Sequence, residues 1–332
     1  MRAYRLQKSN LLPVLEDLPT PAEGPGAVRI RTTAVSIHPV DLETCSGKNK
    51  VMLPMKRPFV PGVDFTGVIT SVGEDVKGLK MGEVVYGYQG IATMGAFAEE
   101  IVVPASTIAR APTGFDAAQL ATLPLPSLCA LQAADSAGIG AGSLVLVHGG
   151  AGGVGSVAVQ IFAALGARVT ATASSKDAEW VTALGAHRVV DYRTERFEDV
   201  VRNQDLIFDT VGGETLLRSF VAVKPEGMVA SISAMPEAQV LLQAGLKVPG
   251  PLKLLLPLMG RKPRKHAQKA KARFSAQVTV PSGARLTRAT VIAEASGLQT
   301  RMDEIFAFDD LPKAIEHAAS GKARGRVVVM VN

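Results

Sequence analysis

The feature that most constrains this chain is the run Leu144-Val-Leu-Val147-His148-Gly149-Gly150-Ala151-Gly152-Gly153-Val154-Gly155. Four apolar residues stop at a glycine-rich turn, and a helical pattern follows through Val157, Val159, Ile161, Phe162 and Leu165. That succession predicts a buried parallel strand, a tight turn and a helix N-terminus. The register Gly150-x-Gly152-x-x-Gly155 fits a dinucleotide fingerprint. In this reading Gly150 permits the turn, Gly152 admits a pyrophosphate close to the backbone, and Gly155 lets the helix pack against the strand. Gly152, Gly153, Val154 and Gly155 are expected to touch the pyrophosphate, whose charge suits the N–H groups of a helix start.

The turn sits in an alternating series. Strand patterns at Ser143–His148, Arg168–Thr172, Arg188–Asp191, Leu206–Thr210 and Met228–Ile232 alternate with helical ones at Gly155–Leu165, Lys176–Leu184, Glu195–Arg202 and Glu214–Val223. Alternation of this kind predicts a doubly wound parallel sheet covered on both faces. Residues 1–118 differ. Short strand patterns at Val28–Arg31, Ala34–Ile37, Val68–Val72, Glu83–Tyr88 and Phe97–Val103, punctuated by Pro and Gly, predict a compact β-rich domain. Ala117–Thr122 and Ser127–Ala137 read as helices between the two.

Beyond Ser233 the patterning weakens. Leu241–Met259 is apolar and broken by prolines, which fits a lid, a helix pair or an interface. Arg261–Arg273 carries basic residues and no acids, so a solvated helix or loop stands beside an anionic partner or membrane surface. No aromatic interleaves with these cations before Phe274, which disfavours a nucleic-acid partner. Phe274–Val280 alternates as an edge strand suited to pairing two copies, hence an expected homodimer. Helices are expected at Val291–Leu298 and Leu311–Ser320, and a closing strand at Arg326–Val331.

Bulk properties narrow the class. The chain has 332 residues, a formal net charge of +6 and two cysteines, Cys45 and Cys129. Two thiols make neither a disulfide framework nor a four-thiolate zinc site, and a reducing compartment follows. The N-terminus has no apolar signal core and no stretch is long and apolar enough to span a bilayer, so a cytoplasmic location is expected.

The order of motifs resembles the zinc-independent quinone oxidoreductase branch of the medium-chain dehydrogenase/reductase superfamily, nearly end to end. The residues carrying this are His38-Pro39-Val40-Asp41, Pro61-Gly62-Val63-Asp64-Phe65-Thr66-Gly67-Val68-Ile69, Gly95–Val102, Asp209-Thr210-Val211-Gly212-Gly213 and Gly321-Lys322-Ala323-Arg324-Gly325-Arg326-Val327. The resemblance implies a GroES-like β-rich catalytic domain at 1–122 and 281–332. A Rossmann NADP-binding domain at 123–280 would interrupt it, with a cofactor cleft between them. Zinc relatives have Cys at the position of His38 and His-Glu at Val63-Asp64. Valine cannot ligate, so no catalytic metal is expected. Without a Lewis acid the fitting acceptors are already electron-poor, namely quinones and α,β-unsaturated carbonyls.

The cofactor expected is NADP(H). An acid about twenty residues past the glycine turn usually holds the ribose of NAD; here the second strand runs into Ser174-Ser175-Lys176, which suits a 2′-phosphate. Ser174 can equally cap the next helix and Lys176 can simply be solvated. Tyr192 matches a family position near that phosphate and the adenine. Val211, Gly212 and Gly213 follow a strand's C-terminal end and are placed beside the nicotinamide. Ser231 and Ile232 end the next strand at the edge of the cofactor cleft, and Cys129 falls near the nicotinamide if the family geometry holds. His38 is the candidate catalytic residue, as hydrogen-bond donor to a substrate carbonyl, and Tyr86 and Tyr88 are candidate pocket residues. Acceptor shape rests on Leu42–Pro58 and Leu241–Met259. Two alternatives stay open: an enoyl-thioester reductase, whose basic run meets a CoA phosphate, and a non-catalytic NADPH-binding protein with a nucleic-acid or acidic-surface partner.

Overall fold

In the computed structural model, which describes residues 1–8, 12–50 and 55–331, the glycine turn leaves a strand at the centre of a six-stranded parallel sheet. The order across the sheet is Arg188–Asp191, Arg168–Ala173, Leu144–Val147, Gln204–Asp209, Val223–Ser231 and Arg273–Ala276, every neighbouring pair parallel. The chain builds outward from Leu144–Val147 in one direction, then returns to Gln204–Asp209 and builds outward in the other. The strand order therefore reverses between Leu144–Val147 and Gln204–Asp209, and crevices at the C-terminal ends of such strands are where open α/β sheets bind ligands. Val145, Leu146, Val147, Leu206, Ile207 and Phe208 are all buried, as strands covered on both faces require. This sheet and its helices form one compact unit, Cys129–Thr279.

Residues 1–128 and 280–332 form the other unit. Its seven-stranded sheet runs Met302–Ala307, Arg326–Met330, Ala27–Ile37, Asp64–Val72, Val84–Tyr88 and Ile108–Arg110, with Glu100–Pro104 also paired to Ala27–Ile37. The two patterns at Val28–Arg31 and Ala34–Ile37 are a single strand whose register with Asp64–Val72 shifts twice, between Arg29 and Ile30 and between Thr32 and Ala34. Those irregularities break the strict alternation that sequence reading relies on. The hairpin Arg2–Arg5/Val14–Asp17, the helix Pro39–Ser46 and the strand Met302–Ala307 carry no strong periodic pattern and emerge only in the structure. Arg326–Met330 pairs antiparallel with Ala27–Ile37, so the end of the sequence completes a sheet begun at its start.

The weakly patterned region is helical. Ala238–Gln243, Gly250–Met259 and Arg261–Ala270 precede the edge strand Arg273–Ala276. No described helix is long and apolar enough to cross a membrane. Of the acceptor-shaping segment Leu42–Pro58, residues 51–54 lie outside the described residues.

Candidate functional site

Packing of the glycine turn explains its composition. Gly149, not Gly150, takes the left-handed conformation, at φ 70°; Gly150 is instead held small by the next strand, where a Cβ would meet the Ala171 Cβ at 2.8 Å. Gly155 opens the helix Gly155–Ala164 directly over the turn, and a Cβ there would lie 2.1 Å from the Gly149 carbonyl oxygen. Gly152 faces differently: the nearest atom to its Cβ position is that same oxygen at 3.2 Å. The turn is anchored by Gly150 N–H donating to the Thr172 carbonyl at 2.8 Å and Thr210 Oγ1 donating to the His148 carbonyl at 2.8 Å. His148 is structural. Its ring is buried between Thr172, Ser219 and Phe197, and burial lowers its pKa to about 4.

Thr210 brings the second expected segment to the same switch point. Asp209 caps it, its carboxylate accepting from the N–H groups of Val211 and Gly212 at 3.0 Å. Gly212 has φ 77°, and the helix Gly213–Ser219 starts immediately after it. Val211 projects an apolar side chain that is 55% exposed beside the glycine turn. Ser231 corrects an expectation. Its side chain is fully buried and donates to Asp209 Oδ2 at 2.6 Å, so it braces the cap rather than lining a cleft. Ile232 is half-buried and continues the sheet register through N–H donation to the Asp209 carbonyl. Cys129 is likewise buried, its Sγ 2.9 Å from Thr279 Oγ1.

At the end of the second strand Ser174 is buried and donates to Asp177 Oδ2 at 2.9 Å. Its hydroxyl proton is spent on that carboxylate, and the side chain makes no capping bond to a backbone N–H. Ser175 and Lys176 are exposed, and the Ser175 N–H donates to Asp191 Oδ2 at 3.0 Å. The same carboxylate accepts from Arg193 N–H, and the Arg193 guanidinium lies 5.7 Å from the Tyr192 ring. Asp191 thus ties the backbones of Ser175 and Arg193 together, next in sequence to Lys176 and Tyr192. Arg193 was missed in the sequence because it belongs to no motif; its place directly after Tyr192 was the available signal.

In the other unit His38 lies at the centre of a buried polar cluster. Its Nε2 is 2.8 Å from Asp64 Oδ2 and 2.8 Å from Ser36 Oγ, and its Nδ1 is 2.9 Å from the Arg326 guanidinium. Arginine can only donate, so Nδ1 accepts and the ring proton sits on Nε2, facing Asp64. Burial and the Arg326 charge hold the His38 pKa well below its ordinary value. The Asp41 carboxylate accepts the His38 backbone N–H at 2.8 Å, fixing the start of Pro39–Ser46. Burial, reinforced by the Asp64 charge, pushes the Asp41 carboxyl up to about 8. Burial also raises Asp64, against the opposing pull of the Leu125 N–H and Arg326. The expectation that His38 faces an acceptor is therefore corrected: the imidazole is 1% exposed and both its nitrogens are engaged. Tyr86 is also no pocket residue, since its buried hydroxyl donates to the Leu286 carbonyl at 2.8 Å; Tyr88 is buried as well.

Comparison with known proteins matches this architecture. The alcohol dehydrogenase GroES-like domain model matches residues 24–113 and the zinc-binding dehydrogenase model matches residues 184–329. A 2-methylene-furan-3-one reductase of Solanum lycopersicum is 32% identical over 315 residues, covering 91% of this chain and 71% of that protein. The chain belongs to the quinone oxidoreductase branch of the medium-chain dehydrogenase/reductase superfamily. Members of this superfamily are oxidoreductases. An NADPH-dependent alkenal/one oxidoreductase of Arabidopsis thaliana is 37% identical over 193 residues, 56% of this chain and 50% of that protein. The structure of the quinone oxidoreductase from Coxiella burnetii superposes with a TM-score of 0.81 at 26% identity, covering 100% of this chain and 99% of that one.

Zinc-binding members of the superfamily raise the question of a metal here, and the donor set does not fit one. Val63 offers no ligand atom, and the His38 lone pair is turned onto a guanidinium. Among the described residues, three potential ligand side chains converge only at Asp303, Glu304 and His317, on the surface. The residues for a dinucleotide do fit. The turn at Gly149–Gly155 is small wherever the backbone must close, and Gly152 leaves room where a phosphate would approach.

Proposed function

We propose that this protein is an NADPH-dependent reductase of quinones or α,β-unsaturated carbonyls that works without a metal. The observation that carries the reading is the cluster at His38. The place of a Lewis-acid site is filled by a neutral imidazole tied between Asp64 and Arg326. Such an enzyme cannot polarise an unactivated carbonyl through a metal, so its acceptors must already be electrophilic. The names of the tomato and Arabidopsis relatives, an enone reductase and an alkenal/one oxidoreductase, support the same class of acceptor.

When bound, the reduced nicotinamide supplies a hydride. The chain supplies the setting. Gly152, Gly153, Val154 and Gly155 receive the pyrophosphate at the helix start. Val211, Gly212 and Gly213 form an apolar-edged turn at the same switch point for the nicotinamide side. Lys176 takes the 2′-phosphate, beside Ser175 and Arg193, which Asp191 ties together, and Tyr192, whose ring the Arg193 guanidinium covers. Asp41, His38, Asp64 and Arg326 hold the start of Pro39–Ser46 in place as positioning groups. The same reading includes a homodimer paired along the open edge of Arg273–Ala276, which sedimentation measures directly.

NADPH oxidation followed with naphthoquinones, enones, alkenals and an enoyl-CoA tests the proposal. Turnover with quinones or enones is expected; saturation by enoyl-CoA alone would assign a thioester reductase, and no oxidation with any acceptor would remove the catalytic reading. Lys176→Ala is expected to raise the KM for NADPH far more than that for NADH, and equal effects would remove the 2′-phosphate assignment.

A further inference from the structure

The helix Gly250–Met259 is built against the ordinary rule for a surface helix. Leu254 is 79% exposed, Leu255 54%, Leu258 64% and Met259 55%, and of its residues only Leu256 is fully buried. Leu254 and Leu258 are four residues apart, as are Leu255 and Met259, so the four share one broad outward face. After Gly260 the chain continues into Arg261–Ala270, with the opposite chemistry. Its inward side is small: Ala267 is buried in the core formed with Val223, Phe220 and Ile207. Its outward side carries Arg261, Lys262, Lys265 and Lys269, all exposed, at helical spacings of one, four and eight from Arg261. Among the described residues, the carboxylate paired with this helix is Glu237, which takes Arg264 at 2.9 Å. A solvent-facing leucine surface abutting a cationic helix with no acids of its own has the chemistry of an interfacial element, apolar where acyl chains begin and positive where phosphates lie.

We propose that Gly250–Ala270 is a docking surface for an anionic phospholipid bilayer. The leucines enter the boundary between headgroups and acyl chains, and Arg261, Lys262, Lys265 and Lys269 meet the headgroup phosphates. Charge complementarity decides among the possible occupants. A second copy seated on the leucines by a twofold contact would bring two helices of the same positive sign together. A nucleic acid would leave the leucines uncovered, and no aromatic on either helix offers a base a stacking surface. The docking is peripheral, in accord with the absence among the described helices of one able to cross a membrane.

The full chain would be floated with vesicles of phosphatidylcholine alone and with vesicles of phosphatidylcholine and phosphatidylglycerol in equal parts. Binding is expected only to the anionic vesicles, and to weaken as salt rises. Lys265→Ala with Lys269→Ala is expected to weaken partitioning about 25-fold, at about fivefold per cation. Leu254→Ser with Leu258→Ser is expected to abolish flotation while leaving the midpoint of thermal unfolding unchanged, since both side chains are already in water. No flotation with anionic vesicles would overturn the proposal. So would flotation that survives loss of the leucines, which describes bare electrostatic adhesion. A dimer in sedimentation that the leucine variant converts to monomer, with no vesicle binding, would assign the surface to a second copy instead.

Discussion

Arg326 can only donate hydrogen bonds, and that fact orders the whole cluster around His38. With Nδ1 occupied by the guanidinium, His38 stays neutral and passes its Nε2 proton toward Asp64. Removing the guanidinium leaves the buried His38 Nδ1 acceptor without its donor, so Arg326→Ala is expected to lower the unfolding free energy by about 1–3 kcal/mol. Urea unfolding at neutral pH measures it; a loss well under 1 kcal/mol would mean that the cluster does not hold the fold. Asp41 gives the cluster a pH signature. Its carboxyl titrates near 3.9 in an unfolded chain and is pushed up to about 8 in the folded one. Between those values the folded chain keeps a proton that the unfolded chain has released, so this group's contribution to stability falls as pH rises and is flat above about 8. His148, lowered to about 4, acts in the opposite sense below the ordinary histidine value. Between about pH 6.5 and 8 the histidines add no slope, while Asp41 and the likewise raised Asp64 both lower stability as pH rises, and Asp41→Asn is expected to remove the Asp41 share of that decline, up to about 1.4 kcal/mol per pH unit. Unfolding free energies across that window check this, and parallel curves for the two proteins would contradict it. The candidate motif at His38–Asp41 was legible from sequence, but the direction of the imidazole was not. That depends on Arg326, which reaches His38 only through a strand pairing across almost the whole length of the chain.

At the scale of elements, the glycine turn and the Thr210–Gly213 turn converge because the strands that carry them are neighbours at the reversal of strand order. Each is recognisable in the sequence, since glycine is demanded by close packing at Gly155 and by positive φ at Gly149 and Gly212. Which glycine does which job was less legible. The fingerprint alone assigned the sharp turn to Gly150, whereas the left-handed residue is the one before it. Gly155→Ala would push a methyl group onto the Gly149 carbonyl. It is expected to cost about 1–3 kcal/mol of stability and to weaken the rise in Tm on adding NADPH; an unaltered ligand-induced shift would show that the helix start is not the phosphate site. The hydroxyls were the harder residues to read. Ser174, Ser231 and Cys129 stand at the right strand and helix positions, yet each is turned inward, to Asp177, Asp209 and Thr279 respectively. Sequence position gives the backbone location of such residues but not the rotamer, which neighbouring acids and hydroxyls decide.

At the scale of the whole molecule, the alternation of strand and helix patterns made the parallel sheet legible because its strands are continuous apolar runs. The β-rich unit was harder, because bulges in Ala27–Ile37 and weakly patterned edge elements hide the period-two signal. The return of Arg326–Met330 to that unit has no local signature and was expected only from the resemblance of Gly321–Val327 to the family. An architecture that reduces activated acceptors without a metal should discriminate sharply between an enone and its saturated counterpart. NADPH oxidation should therefore be measured with an enone and with the corresponding saturated ketone, before and after exhaustive treatment with a chelator. Turnover of the enone is expected at an unchanged rate after chelation, with none of the saturated ketone. Reduction of the saturated ketone that chelation abolishes and zinc restores would contradict that expectation.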